Sequence, residues 1–206
     1  MKRADYSRPD YYARRAKDKG FPARSVFKLA ELDGRYGILK PGMRVLDLGA
    51  APGSWMRYCA EKVGAGGLVL GIDRDPLSRQ LKANEQFIRS DVFMAEPAAL
   101  RAEFGGFDLV LSDLAPDTMG SKFADSVRSI ALAERARQFA EGLLKPGGKF
   151  LVKAFQGEDF DRLVKFLRTR FASVVTTKPR SSRPSSKEMY IYCRGFLKGS
   201  RPRPLT

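Results

Sequence analysis

The chain has 206 residues, with 38 Lys plus Arg against 23 Asp plus Glu, no histidine and a formal net charge of +15. Its length suits one domain with short attachments, and 43% hydrophobic with 30% charged residues is a globular mixture, not a disordered one. The cationic excess points to a polyanionic partner, nucleic acid before membrane surface; no stretch resembles a transmembrane span or a secretory signal, so a cytoplasmic location is expected.

Residues 1–24 read as a basic arm. Lys2, Arg3, Arg8, Arg14, Arg15, Lys17, Lys19 and Arg24 face only Asp5, Asp10 and Asp18, with Tyr6, Tyr11 and Tyr12 interleaved. Positive charge meets phosphates and rings stack on bases, so the arm is expected to contact RNA through Arg14, Arg15, Lys17 and Arg24. Residues 25–36 have helical spacing of apolar positions, and Gly37 is a suitable stop. Short apolar strands are expected at 44–48, 68–72, 87–89, 107–111, 149–154, 174–177 and 189–193, and helices at 54–63, 123–144 and 159–170. Lys145-Pro146-Gly147-Gly148 reads as a turn. Strands separated by helices predict a layered α/β domain over 25–199, and 200–206 is a short basic tail. Ligands of an open parallel sheet gather beyond the carboxyl ends of its strands.

The first strand runs into Asp47-Leu48-Gly49-Ala50-Ala51-Pro52-Gly53-Ser54-Trp55. Small residues let this backbone turn tightly against a ligand, and the amides opening the next helix can receive a carboxylate or phosphate. A dinucleotide fingerprint would need glycine where Ala51 stands. Asp73, ending the second strand, can accept both hydroxyls of a ribose. Asp91, after the third, is placed to meet an adenine amino group. Each Asp also has the commoner reading of a loop cap, but the three loops together point to a nucleoside-type cofactor. Cys59 and Cys193 are expected as buried free thiols. Two cysteines without histidine leave too few ordinary ligands for zinc, so no metal is expected. A general base must be Lys, Asp, Glu, Tyr or Cys.

These residues carry a family resemblance. Arg24-Ser25-Val26-Phe27-Lys28-Leu29, residues 47–55, Ser112-Asp113-Leu114-Ala115-Pro116, residues 149–157 and residues 183–192 stand in the order and spacing of the FtsJ-like RNA ribose 2′-O-methyltransferases. The likeness covers residues 11–199 and is greatest to members acting on a uridine of bacterial 23S ribosomal RNA. It implies a Rossmann-like methyltransferase fold with a central, mostly parallel seven-stranded sheet flanked by helices. It implies S-adenosylmethionine as cofactor, held by Asp47, Gly49, Ala51, Pro52, Gly53, Trp55, Asp73, Asp91 and Asp113. The family's Lys-Asp-Lys-Glu tetrad falls on Lys28, Asp113, Lys153 and Glu188. The partners implied are ribosomal RNA and the large ribosomal subunit; a monomer is expected by default, because no amphipathic extension is left over. Two departures are Ser54, where many relatives carry glycine and a serine could cap the next helix, and Asp117, where relatives often have asparagine.

A ribose 2′-hydroxyl is a weak nucleophile, so the chemistry needs alignment and proton removal. Lys153 is the candidate base. Lysine is a poor base near neutrality unless its surroundings favour the neutral amine, and Lys28 with the sulfonium would act in that direction. Stabilisation of developing alkoxide charge is the alternative role. Lys28 and Glu188 would position the ribose. The loop 178–187 is basic and mobile in composition, and Arg180 and Arg183 are expected to guide the RNA backbone. Other readings are a 2′-O-methyltransferase of transfer RNA, a catalytically silent ribosome assembly factor, and a small-molecule methyltransferase. The complete tetrad disfavours the second, and the charge disfavours the third.

Overall fold

The computed structural model describes residues 11–116, 122–183 and 186–199, with Lys122 described in its backbone alone. The strands are β1 (Arg44–Leu48), β2 (Leu68–Asp73), β3 (Glu85–Arg89), β4 (Phe107–Ser112), β5 (Leu144–Phe155), β6 (Phe171–Thr177) and β7 (Glu188–Phe196). The helices are α1 (Tyr11–Asp18), α2 (Val26–Tyr36), α3 (Ser54–Val63), α4 (Pro97–Phe104), α5 (Lys122–Leu143) and α6 (Phe160–Arg170). One sheet takes all seven strands in the order β3-β2-β1-β4-β5-β7-β6. Only the β5–β7 and β6–β7 pairings are antiparallel. The mostly parallel seven-stranded α/β sheet is as expected.

Side chains of each strand alternate between two faces, and each face has its own core. Leu46, Leu48, Val110, Phe150 and Val152 meet α4, α5 and α6, whose Phe139, Leu143, Leu163 and Leu167 are fully or almost fully buried. Val45, Leu109, Leu111, Leu151, Tyr190 and Tyr192 meet α2 and α3 through Leu29, Leu32, Met56 and Cys59. Both cysteines are buried and free, as expected.

Two helices go beyond the sequence expectation. In α1, Ala16 is buried and Tyr12 packs on Phe27 of α2, with ring centroids 5.6 Å apart. Residues 11–18 of the basic arm are therefore helical and docked. α4 has only eight residues and starts on a proline, too short for a clear periodic signal. The turn at 145–148 is present as a bulge within β5. Leu144 already pairs with Phe107 before Lys149 pairs with Leu109, so the strand begins earlier than expected. Gly37 stops α2 at φ 58°, its N–H bonded to the Asp33 carbonyl.

Strand order reverses at β1, which lies between β2 and β4. Such a switch point opens a crevice beyond the carboxyl ends of the strands. The loops after β1 and β4 flank it, joined where the Asp113 N–H meets the Leu48 carbonyl at 3.3 Å.

Candidate functional site

The crevice at the switch point is a cleft of about 500 Å³. Gly49, Ala51, Asp73, Asp91 and Asp113 line it, together with Arg74, Asp75, Phe93 and the 114–116 segment. Gly49 has φ 80°, and a Cβ there would stand 2.9 Å from Leu114 Cδ2. This position needs glycine both for its backbone angle and for space. Asp73 accepts from the Ala51 N–H and the Asp75 N–H, both at 2.9 Å. Asp91 accepts from the Phe93 N–H at 2.9 Å. Both aspartates thus cap loops and also face the cleft. A carboxylate has about four acceptor sites, so capacity remains for hydroxyl or amino donors.

Asp47, Pro52, Gly53 and Trp55 do not line the cleft. Asp47 is fully buried, with neither carboxylate oxygen partnered. Burial, then the charges of Asp113 and Asp73, push its carboxyl well above the ordinary range. The Trp55 side chain lies outside the cleft lining. The indole is buried beside Tyr190 and donates to the Ser25 carbonyl at 2.9 Å. The capping role expected of Ser54 is corrected. It is the first residue of α3, with Gly53 in the cap position, and its hydroxyl accepts the Ala23 N–H at 2.7 Å. The cleft nevertheless fits S-adenosylmethionine. It has acceptors for a ribose and an adenine edge in Asp73 and Asp91, and a glycine at position 49 where a Cβ would meet Leu114.

The four tetrad positions come together through strand alternation. Asp113 follows Leu109 and Leu111 on the α2–α3 face, and Lys153 follows Leu151. In the β5–β7 register Lys153 faces Tyr190 and Phe155 faces Glu188. Lys153 Nζ lies 3.0 Å from Asp113 Oδ1 and donates to the Asp113 carbonyl at 2.7 Å. The side chains are 6% and 15% exposed. α2 brings Lys28 Nζ within 2.7 and 2.8 Å of the two Glu188 oxygens. Tyr190, absent from the expected site, donates its hydroxyl to Asp113 Oδ1 at 2.6 Å. Its signal in the sequence was the two-residue spacing from Glu188 on one strand. Burial raises the Asp113 carboxyl, but the charges of Lys153 and Lys28, with hydrogen bonds from Tyr190 and Lys153, outweigh it. The group sits below the ordinary carboxylate value. Burial and then Asp113 push the Tyr190 phenol well up, so it remains a donor.

A second cleft, about 340 Å³, opens beside Lys28 and Glu188 and is also lined by Arg24, Ser25, Arg183 and Ser186. Arg24 stacks over Tyr12 at 5.4 Å and donates to the Ser181 carbonyl at 2.7 Å. The described part of the basic loop is held, not merely solvated. Glu31 accepts from the Arg180 and Ser181 N–H groups at 2.9 and 3.1 Å. Arg14, Arg15, Lys17, Arg180 and Arg183 are exposed. Asp117 lies outside the described residues, as do residues 1–10 of the arm and the basic tail. Among the described residues no group of His, Cys, Asp or Glu could hold a metal ion, and no helix is long and apolar enough to cross a membrane.

The FtsJ-like methyltransferase family profile matches residues 21–196. The Ribosomal RNA large subunit methyltransferase E of Desulfosudis oleivorans is 47% identical over 190 residues, covering 92% of this chain and 91% of that one. The protein of the same name from Sorangium cellulosum is 46% identical over 186 residues, 90% of this chain and 87% of its own. A crystal structure from Plasmodium falciparum, provisionally described as a ribosomal RNA methyltransferase, superposes with a TM-score of 0.74 at 30% identity. It covers 86% of this chain and 100% of that one.

Proposed function

Because this chain belongs to the FtsJ-like methyltransferase family, we propose that it methylates the ribose 2′-hydroxyl of a uridine in 23S ribosomal RNA. The substrate is the assembled large subunit, the methyl donor is S-adenosylmethionine, and the enzyme acts as a monomer. The observation that carries this reading is the two largely buried ion pairs, Lys153–Asp113, whose aspartate lines one cleft, and Lys28–Glu188, which lines a second cleft of different character. One cleft is lined by aspartates suited to a nucleoside, the other by arginines and Lys28 suited to phosphates. The basic cleft supports RNA over a small-molecule substrate, and the named relatives support ribosomal over transfer RNA.

S-adenosylmethionine supplies an electrophilic methyl group on a sulfonium. Asp73 takes the ribose hydroxyls of the donor and Asp91 its adenine amino group. Lys153 meets the 2′-hydroxyl of the RNA. Its amine is aimed by the Asp113 carboxylate and carbonyl, which occupy two of its N–H directions. Asp113 is fixed in turn by the Tyr190 hydroxyl. Lys28 and Glu188, locked to each other, set the side of the pocket that receives the substrate ribose. The test is to map ribose methyl groups on cellular ribosomal RNA with and without the gene, and to restore the missing one with purified protein on isolated large subunits. A restored 2′-O-methyl uridine is expected; an unchanged map refutes the reading.

Two variants separate the clefts. Asp73→Ala removes two charged hydrogen bonds worth about 1.5–3 kcal/mol each, so calorimetry should show S-adenosylmethionine affinity falling by at least roughly 100-fold. RNA affinity should stay near normal. Neutralising Arg14, Arg15 and Lys17 together should lower RNA affinity and leave cofactor affinity intact. If all three meet phosphates, the slope of log affinity against log salt flattens by roughly 2 units, at about 0.7–0.9 per contact. An unchanged slope would remove α1 from the RNA interface.

A further inference from the structure

α3 opens with Ser54 and Trp55, directly after the turn at residues 49–53. Both side chains leave that turn for the same short segment, residues 23–25. The Ser54 hydroxyl accepts the Ala23 N–H at 2.7 Å, and the Trp55 indole N–H donates to the Ser25 carbonyl at 2.9 Å. Ser54 is 1% and Trp55 3% exposed, so water competes little for either bond. The segment they hold belongs to the other cleft. Arg24 and Ser25 line it, and Lys28 follows within the first turn of α2. The Trp55 ring also packs against Tyr190, with centroids 6.1 Å apart, and Tyr190 holds Asp113. Adjacent residues of the cofactor loop are thus bonded to the strip of chain that shapes the basic cleft. The Ser54 side chain lines neither cleft.

We propose that Ser54 is a positioning residue that couples the two clefts. A cofactor seated against the turn at 49–53 steadies α3, and through Ser54 steadies residues 23–25 and the Arg24 and Lys28 side chains that meet RNA. The inference rests on the methyl-transfer reading above, because it needs both ligands. Coupling of this kind is reciprocal: cofactor tightens RNA by the factor by which RNA tightens cofactor.

The test is RNA affinity, measured by fluorescence anisotropy of a large-subunit RNA fragment with and without saturating S-adenosylhomocysteine, which cannot react. Wild-type protein should bind the RNA at least about fivefold more tightly with S-adenosylhomocysteine present, the lower end of ordinary coupling. Ser54→Ala and Ser54→Gly should bind RNA alone within about twofold of wild type and gain less than about twofold from S-adenosylhomocysteine, in keeping with a lost coupling. Calorimetry of S-adenosylhomocysteine with and without RNA should show the same loss, which a general loss of structure would not produce. A wild-type protein that binds both ligands without coupling overturns the proposal, as does an alanine variant that keeps the full gain. A wild-type protein that binds neither ligand overturns the methyl-transfer reading, and this proposal with it.

Discussion

Lys153→Ala cuts single-turnover methyl transfer by at least about 10²-fold, the lower range for a lost acid–base group, with RNA and cofactor both saturating. The expectation follows from where the amine stands. Lys153 comes from a strand segment in which Leu151, Val152 and Ala154 are fully buried. A cation in such a position is costly unless it is paired, and both acceptors that hold it belong to Asp113. Cofactor binding should stay close to normal, because Lys153 does not line the cofactor cleft. Stability should fall, because Asp113 is left with the Tyr190 hydroxyl but without its ion-pair partner, so the rate is compared under conditions in which the variant is folded. Lys153→Arg divides the two roles open to the amine. A guanidinium stays protonated and is a different shape, so it cannot take a proton from the ribose. Little rescue by arginine supports proton transfer. Recovery of most of the rate assigns Lys153 to charge and orientation, and a near-normal rate in the alanine variant removes it from the centre of the reaction.

Asp113→Ala should be the most destabilising change in the site, by about 3 kcal/mol in urea unfolding. Removing one partner of a buried ion pair costs about 3–5 kcal/mol because the other charge is left behind. The lower figure applies because Lys153 retains the main-chain carbonyl of residue 113 as an acceptor. The Tyr190 hydroxyl, fully buried, loses its partner in the same stroke. The pH dependence has a definite sign. Asp113 is held below the ordinary carboxylate value in the folded protein, so its ionised form stabilises the fold at neutral pH. That contribution is fully present above the unfolded value, near pH 4, and is lost as pH falls through the lower folded value. The stability gap between wild type and Asp113→Ala should therefore narrow in acid. A gap that is constant with pH would mean that packing, not charge, holds Asp113.

Much of this site was legible because strand periodicity is simple. Lys153 lies two residues from Leu151, and Asp113 two from Leu111, so both pairs share a sheet face once the strands are found. The Lys153–Tyr190 register was not legible, since strand pairing joins residues far apart in the chain; the spacing of Tyr190 from Glu188 marks only that the two share a strand face. α1 was missed for a related reason. Its basic residues dominate its composition, while its docking rests on Ala16 and on Tyr12 against Phe27, contacts made only after the chain folds back. The side chains of Ser54 and Trp55 were not legible either. A serine opening a helix suggested a cap, but both side chains reach the chain before α2, about 30 residues earlier. The loop at 178–187 looked free because Glu31, which fastens its backbone, lies about 150 residues earlier.

β7 is the last strand in chain order among the described residues, yet it lies inside the sheet, between β5 and β6. During synthesis the chain emerges amino-terminus first, at about 5–20 residues per second, and a domain folds as a unit. A nascent chain halted before residue 188 already holds Asp113 and Lys153, but β5 and β6 have no strand between them, and Glu188 and Tyr190 do not yet exist. Each unpaired edge invites association with other chains. The same late insertion that completes the sheet therefore also brings Glu188 to Lys28 and Tyr190 to Asp113, so the buried cluster is assembled only once the β7 segment has been made.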